Sequence, residues 1–395
     1  MSRPEFETSG RERKIPLSLN MAEEAKKLGM PFDWEPPKID GIWGKKSFVS
    51  VNQLTPQDVT TIINSAREIE VVIGGGQPIG EDQLMKWLYG QCLVTLFYEP
   101  STRTRMSFEV ASQFLGMKLV SNPDMVQYSS VYKGETVADT AKTVTALYLP
   151  RIIVQRHSEV GAASIAAFAT ESMGMVNNRK PPQIINAGDG VGEHPTQALL
   201  DIVTIVREKG LNNHKGLKDL QIGMVGDLEN GRTVHSLAKL LTILGGPARF
   251  VFISPQRLAM PQSISEWLRQ QEQIVTETEN LEESLPELDV LYVTRIQRER
   301  FSDPSDYERY RGSYVITPEI LGRAKQDLTL MHPLPRLDEI DWRVDQDQRA
   351  AYFRQVTYGV FTRMALLCLM TGNPYPNQSV RRAGTRRLET QTFER

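Results

Sequence analysis

Five short polar clusters follow five apolar runs of strand length, and their residue types suit the holding of anions. Ser101-Thr102-Arg103-Thr104-Arg105 comes directly after the run at 93–98. It offers three hydroxyls and two guanidiniums, and a helix opening there would add free backbone N–H groups. Arg156-His157 follows 152–155. His194-Pro195-Thr196-Gln197 follows 184–186 and a glycine-rich loop at 188–192. Thr294-Arg295-Ile296-Gln297 follows 290–293, and His332-Pro333-Leu334-Pro335-Arg336 follows 328–331. Each cluster alone fits a capped helix or a surface arginine. Five of them at the same kind of strand end point to one anion site, because ligands of parallel α/β sheets bind outside the carboxyl ends of the strands.

The elements that must position these residues follow from periodicity. Thr55-Pro56 suits an N-cap and first helical position. Val59, Ile62, Ile63, Ala66, Ile69 and Ile73 then recur at helical spacing until Gly74-Gly75-Gly76. The runs at 151–155, 183–186, 221–225, 249–253, 290–294 and 328–331 read as buried strands, and a helix is expected from about 104 to 115. Strands alternating with helices predict parallel sheets with helices on both faces. Leu366, Leu367 and Leu369 read as the core face of a late helix at 361–369.

Composition narrows the function classes. The 395 residues hold 46 Lys+Arg against 48 Asp+Glu, a net charge of -2, which argues against a global nucleic-acid footprint. No apolar run is long enough to span a membrane. The first sixteen residues lack an apolar core, so no secretory signal is expected, and the acidic residues of 1–45 weaken a transit-peptide reading. Cys92 and Cys368 each sit in an apolar run and read as buried free thiols of a reducing compartment, with a cytoplasmic location expected. Ligands for a Cys/His zinc site are lacking, no metal is expected, and no cofactor. In the loop at 188–192 the G-x-G-x-x-G spacing fails at Glu193, against a dinucleotide site. Residues 1–45 read as an extension or irregular cap. The tail at 377–395 is polar and basic, with five Arg against two Glu from Gln378 onward.

Taken together, FYEPSTRTR, GDGVGEHPTQALLD, MVGDLENGRTVHSL, TRIQRERF and HPLPRLDEI, in this order and spacing, resemble the aspartate carbamoyltransferases of the aspartate/ornithine carbamoyltransferase family. The resemblance runs from about 48 to 372, and includes AAYFRQ at 350–355. It implies two α/β domains, each with a central parallel sheet flanked by helices, and an active site in the cleft between them. Residues 46–195, completed by a C-terminal helix at 360–376, would bind carbamoyl phosphate, and 196–359 would bind aspartate. The implied reaction gives N-carbamoyl-L-aspartate and phosphate, in de novo pyrimidine (UMP) biosynthesis.

The resemblance also implies roles. Ser101, Thr102, Arg103 and Thr104 would bind the phosphoryl oxygens. The catalytic residues Thr104, Arg156 and His194 would point at the carbamoyl oxygen as oxyanion donors. Gln197 and the carbonyls of Leu334 and Pro335 would hold the carbamoyl NH₂. Arg232 would take the α-carboxylate of aspartate, and Arg295 and Gln297 the β-carboxylate. Glu99 resembles an interdomain ion-pair residue. Ser129 and Lys133 would reach into a neighbouring subunit's site, which implies a homotrimer with shared active sites. A regulatory chain or a multi-enzyme context stays open. Arg105 is assigned a structural role. Ser172-Met173-Gly174 copies a signature of the ornithine enzymes, but lies before the His194 motif and reads as coincidence. The competing readings are a non-catalytic scaffold or ligand sensor and a transcarbamylase for another acidic amino acid.

Overall fold

The computed structural model describes residues 18–74, 82–125, 134–176, 178–301 and 303–374. Two sheets carry the chain, and every strand pairing in both is parallel. The first is built from β1 (Cys92–Phe97), β2 (Lys118–Asn122), β3 (Ile152–His157) and β4 (Gln183–Asp189), in the order β2-β1-β3-β4. The second is built from β5 (Gln221–Val225), β6 (Arg249–Ile253), β7 (Val275–Thr278), β8 (Val290–Val293) and β9 (Thr329–Met331), in the order β7-β6-β5-β8-β9. Each sheet therefore reverses its winding once, between β1 and β3 and between β5 and β8. Such switch points open a crevice above the strand ends. Phe97 pairs with Arg156 and Val225 with Val293, so the chain leaves each crevice at matched heights.

Among the described residues, nine helices have nine residues or more: α1 (Leu19–Lys27), α2 (Pro56–Gly74), α3 (Thr102–Phe114), α4 (Val137–Tyr148), α5 (Ala162–Ser172), α6 (Pro195–Glu208), α7 (Arg232–Ile243), one at Gln262–Gln270 beside the second sheet, and α8 (Tyr352–Met370). Strands β1, β3, β4 and β8 are buried along nearly their whole length, as their largely apolar runs predict. Helix α8 leaves the second sheet and packs on α2, α3 and α6 beside the first. Its Leu366, Leu367 and Leu369 are buried, each contributing about 1.5–3 kcal/mol of transfer free energy.

Four features differ from the sequence reading. β2 and β7 were not expected. Both lie at sheet edges, where exposed residues such as Lys118, Thr276 and Glu277 break any apolar run. Helix α3 opens at Thr102, two residues before the expected start, with Ser101 in the N-cap position. Within the expected irregular cap, α1 packs on α5 through Met21 and Ala25, and Ile39 and Trp43 are buried. Two apolar residues one helical turn apart are too sparse a signal among charges. Cys368 is buried as expected, but Cys92 is only partly so, because it opens β1 at the sheet margin.

Candidate active site

Above both switch points lies a cavity of about 570 Å³. From the first half of the chain it is lined by Ser101, Thr102, Arg103, Thr104, Arg156, His194 and Gln197, and from the second by Arg232, Arg295, Gln297, Leu334 and Pro335. Twelve predicted residues are thus brought together. Ser129 and Lys133 lie outside the described residues. Among the described residues, six arginines line the cavity against two glutamates, Glu99 and Glu299, so its field favours anions.

The anion end is the start of α3. Ser101 has extended backbone and makes no capping hydrogen bond, and the first intrahelical donor is Arg105, whose N–H reaches the Ser101 carbonyl at 3.2 Å. The N–H groups of Thr102, Arg103 and Thr104 precede it, at the positive end of the helix dipole. The Arg103 guanidinium is held below its ordinary value by burial and then by facing Arg295. Arg105 pairs with Glu109 along the helix at 2.8 Å, in keeping with its structural assignment.

Three side chains meet over Gly188, where β4 ends. A Cβ there would stand 2.9 Å from Arg156 Nη1, 3.4 Å from Arg232 Cζ and 3.5 Å from His194 Cδ2, and φ is +116°. Only glycine leaves that space free in that backbone state. Arg156 donates to the Ala187 carbonyl at 3.2 Å and pairs with Glu99 at 3.0 Å. Burial, with Arg232 beside it, lowers it to about 9, so it stays charged at neutral pH. His194 is buried, its Nε2 3.4 Å from Thr104 Oγ1 and its backbone N–H bonded to Ser236 Oγ at 3.0 Å. Burial first, then Arg156, Arg232 and Arg363, hold its imidazole well below the usual histidine range. Thr104, Arg156 and neutral His194 together can stabilise an oxyanion.

The second half supplies two guanidiniums and an amide that can take carboxylates. Arg232 is the first residue of α7, placed by the Gly231 turn. It donates to the Gly190 carbonyl at 2.6 Å and pairs with Glu99 at 3.1 Å. Glu99 therefore spans Arg156 and Arg232, one from each half of the chain. Arg295 is paired with Glu299, which raises it further. The Gln297 amide donates to the Asn230 carbonyl at 3.1 Å. His332 sets the last wall: its Nδ1 accepts from the Leu334 N–H at 2.8 Å and its Nε2 meets Glu339 at 2.8 Å. That holds the segment whose Leu334 and Pro335 line the cavity, with Leu334 at φ +54° and a cis bond to Pro335.

Sequence reasoning passed over Gly188, Gln355, Arg300 and Arg363. Gly188 sits inside the glycine-rich loop before His194 and Arg300 inside the TRIQRERF segment, neither with a role of its own. Gln355 and Arg363 are polar positions on the buried, mostly apolar face of α8, and that contrast was the available signal.

Family models describe the same two halves. The aspartate/ornithine carbamoyltransferase carbamoyl-P binding domain matches residues 46–207, and the Asp/Orn binding domain matches 218–370. The chain belongs to the aspartate/ornithine carbamoyltransferase family. It is 45% identical over 331 residues to an aspartate carbamoyltransferase catalytic subunit of Methanopyrus kandleri, across 84% of this chain and 98% of that one. It is 42% identical over 324 residues to the multifunctional protein CAD of Squalus acanthias, across 82% of this chain and 13% of that protein. Its fold is similar to that of aspartate transcarbamoylase from Trypanosoma cruzi in complex with carbamoyl phosphate and aspartate, with a TM-score of 0.72 and 36% identity, across 85% of this chain and 99% of that chain. Among the described residues no helix is long and apolar enough to cross a membrane.

Proposed function

We propose that this family member is an aspartate carbamoyltransferase, which transfers the carbamoyl group of carbamoyl phosphate to the amine of L-aspartate. The observation that carries the reading is the pair of guanidiniums, Arg232 and Arg295, lining the same cavity as the open start of α3. A phosphorylated donor suits the helix end, and an acceptor with two carboxylates suits the two arginines. The ammonium side chain of ornithine would instead be repelled by them.

In this reading Ser101, Thr102, Arg103 and Thr104 hold the phosphate. Thr104, Arg156 and His194 receive the carbamoyl oxygen, while Gln197 and the carbonyls of Leu334 and Pro335 take the NH₂. Arg232 binds the α-carboxylate, and Arg295 with Gln297 binds the β-carboxylate. The amine nitrogen attacks the carbonyl carbon, and the negative charge that builds on the oxygen meets donors already in place. The C–O bond to phosphate then breaks, and the departing phosphate accepts the amine's proton. Substrate carboxylates compete with Glu99 and Glu299 for the arginines, which couples aspartate binding to closure of the two halves.

The wider setting belongs to the same proposal: a cytoplasmic homotrimer in pyrimidine biosynthesis, with Ser129 and Lys133 completing each neighbour's site. A regulatory chain or a multi-enzyme polypeptide is compatible with it. The division between domains falls best in the connection after Glu208, because residue 196 lies inside the continuous α6. The test is carbamoyl-aspartate formation from carbamoyl phosphate and L-aspartate, with L-ornithine in parallel. Turnover with aspartate alone is expected, and turnover with ornithine alone would overturn the acceptor assignment. Mixed trimers of Lys133→Ala and Arg103→Ala subunits should recover activity, and none in verified mixed trimers would sink the shared site.

A further inference from the structure

Beneath the cavity floor one buried carboxylate organises two amides. Asp201 lies on α6, one turn after Gln197, and is fully buried. Its Oδ1 accepts from Gln197 Nε2 at 2.8 Å and from Gln355 Nε2 at 2.7 Å, and its Oδ2 accepts from the Tyr292 hydroxyl at 2.9 Å. The three donors come from α6, α8 and β8, so the carboxylate sits where both halves of the chain meet.

A carboxylate oxygen only accepts, so it dictates which end of each amide faces it. Gln197 must turn its NH₂ inward, which leaves its Oε1 as the heteroatom available to the cavity that it lines. Gln355 must do the same, and its Oε1 then accepts from the backbone N–H of His332 at 3.1 Å. That bond anchors the start of the His332–Pro335 segment, whose Leu334 and Pro335 line the cavity and, in the reading above, offer it their carbonyls. Burial pushes Asp201 up to about 7, against the pull of Tyr292, Gln355, Gln197 and Arg363. A proton on Oδ2 would leave Oδ1 accepting, so both amides keep their direction in either state.

We propose that Asp201 is a positioning residue that makes this wall of the site an array of acceptors, and so sets its preference for a donor bearing NH₂ over one bearing CH₃ at the same carbonyl. The inference rests on the carbamoyl phosphate reading above and adds what selects the carbamoyl group. A site built to take substrate N–H groups leaves its own acceptors unpaired when an analogue lacks them, and rejects that analogue strongly.

The probes are phosphonoacetamide and acetonylphosphonate, which share phosphonate and carbonyl and differ only in NH₂ against CH₃. Calorimetry on the intact chain gives their affinity ratio without turnover. The wild type should favour the amide. Asp201→Leu, which removes every acceptor, should shrink the ratio by about tenfold to a hundredfold. Asp201→Asn should retain most of it, since Asn can keep its oxygen toward the two amides and turn its NH₂ toward Tyr292. A merely structural role would weaken both probes alike and leave the ratio unchanged, which overturns the proposal. Equal shrinkage in the Leu and Asn variants overturns it too. If Asp201→Leu does not fold, Gln197→Met and Gln355→Met carry the test: both should shrink the ratio, and no change in either rejects the proposal. Wild-type turnover with carbamoyl phosphate and aspartate is assayed separately, so a wild type that turns over yet ignores the NH₂ refutes this inference alone.

Discussion

The two ends of the cavity are built by different rules. At the end proposed for carbamoyl phosphate, Thr104, Arg156, His194 and Gln197 are all buried, each held by a neighbour or by the space over Gly188. At the end proposed for aspartate the Arg295 side chain is 24% exposed against 9% for Arg156, and its partner Glu299 is 53% exposed, although Arg103 at the first end is exposed too. Arg295 already has a carboxylate, and Arg232 shares Glu99 with Arg156. The first end is preorganised, which suits stabilising charge in a transition state. The second is occupied by the protein's own acids, which suits exchange for a substrate's carboxylates. Rate should therefore depend on the first end and aspartate saturation on the second.

The largest expected break is at the preorganised end. Arg103→Ala or Arg156→Ala should lower kcat by about 10²–10³ in the carbamoyl-aspartate assay. If either changed only the aspartate KM, the contrast between the ends would fail. Gly188→Ala should come next, with kcat down by about tenfold to a hundredfold, because a new Cβ at 2.9 Å pushes Arg156 aside and strains the positive-φ backbone. Full activity in that variant would show that the packing over Gly188 has no bearing on rate.

Effects at the exchangeable end should appear in KM. Arg232→Ala should raise the aspartate KM by about tenfold to a hundredfold, the range for losing a charged hydrogen bond, with carbamoyl phosphate affinity less changed. Unchanged aspartate saturation would refute that assignment. Glu299→Gln should lower the aspartate KM by about fivefold at most, since the pair it removes is half exposed and weak. A rise instead would make Glu299 a ligand rather than a competitor.

The smallest effect concerns pH. His194 is held neutral well below the ordinary histidine value, so protonation should begin only at more acidic pH. The rate of the chemical step should then show no histidine inflection as pH falls through about 6.5. Such an inflection, abolished by His194→Asn, would contradict a neutral imidazole. The same depression has a stability consequence: the unfolded chain takes up this proton first, so stability from this group declines as pH falls below about 6.5.

The parallel sheets were legible in the chain's residues alone, because the inner strands are buried on both faces and betray themselves as apolar runs. The polar clusters at strand ends could be read there too, because a fold of this class leaves those positions to ligands. The twelve lining residues were legible as segments, and their roles came through the family resemblance. Relations between distant segments emerged with the folded chain. Edge strands β2 and β7 carry no burial signal, and α1 shows its burial only against α5. Gly188 matters because three side chains from three elements meet above it. Asp201 reads in sequence as one polar residue on an apolar helix. Its meaning comes from Gln355 and Tyr292, over 90 residues away, which the packing of α8 and β8 brings onto the same carboxylate. A hydrogen bond fixes the direction of an amide only when both partners are in place, and that placement is a property of the folded chain.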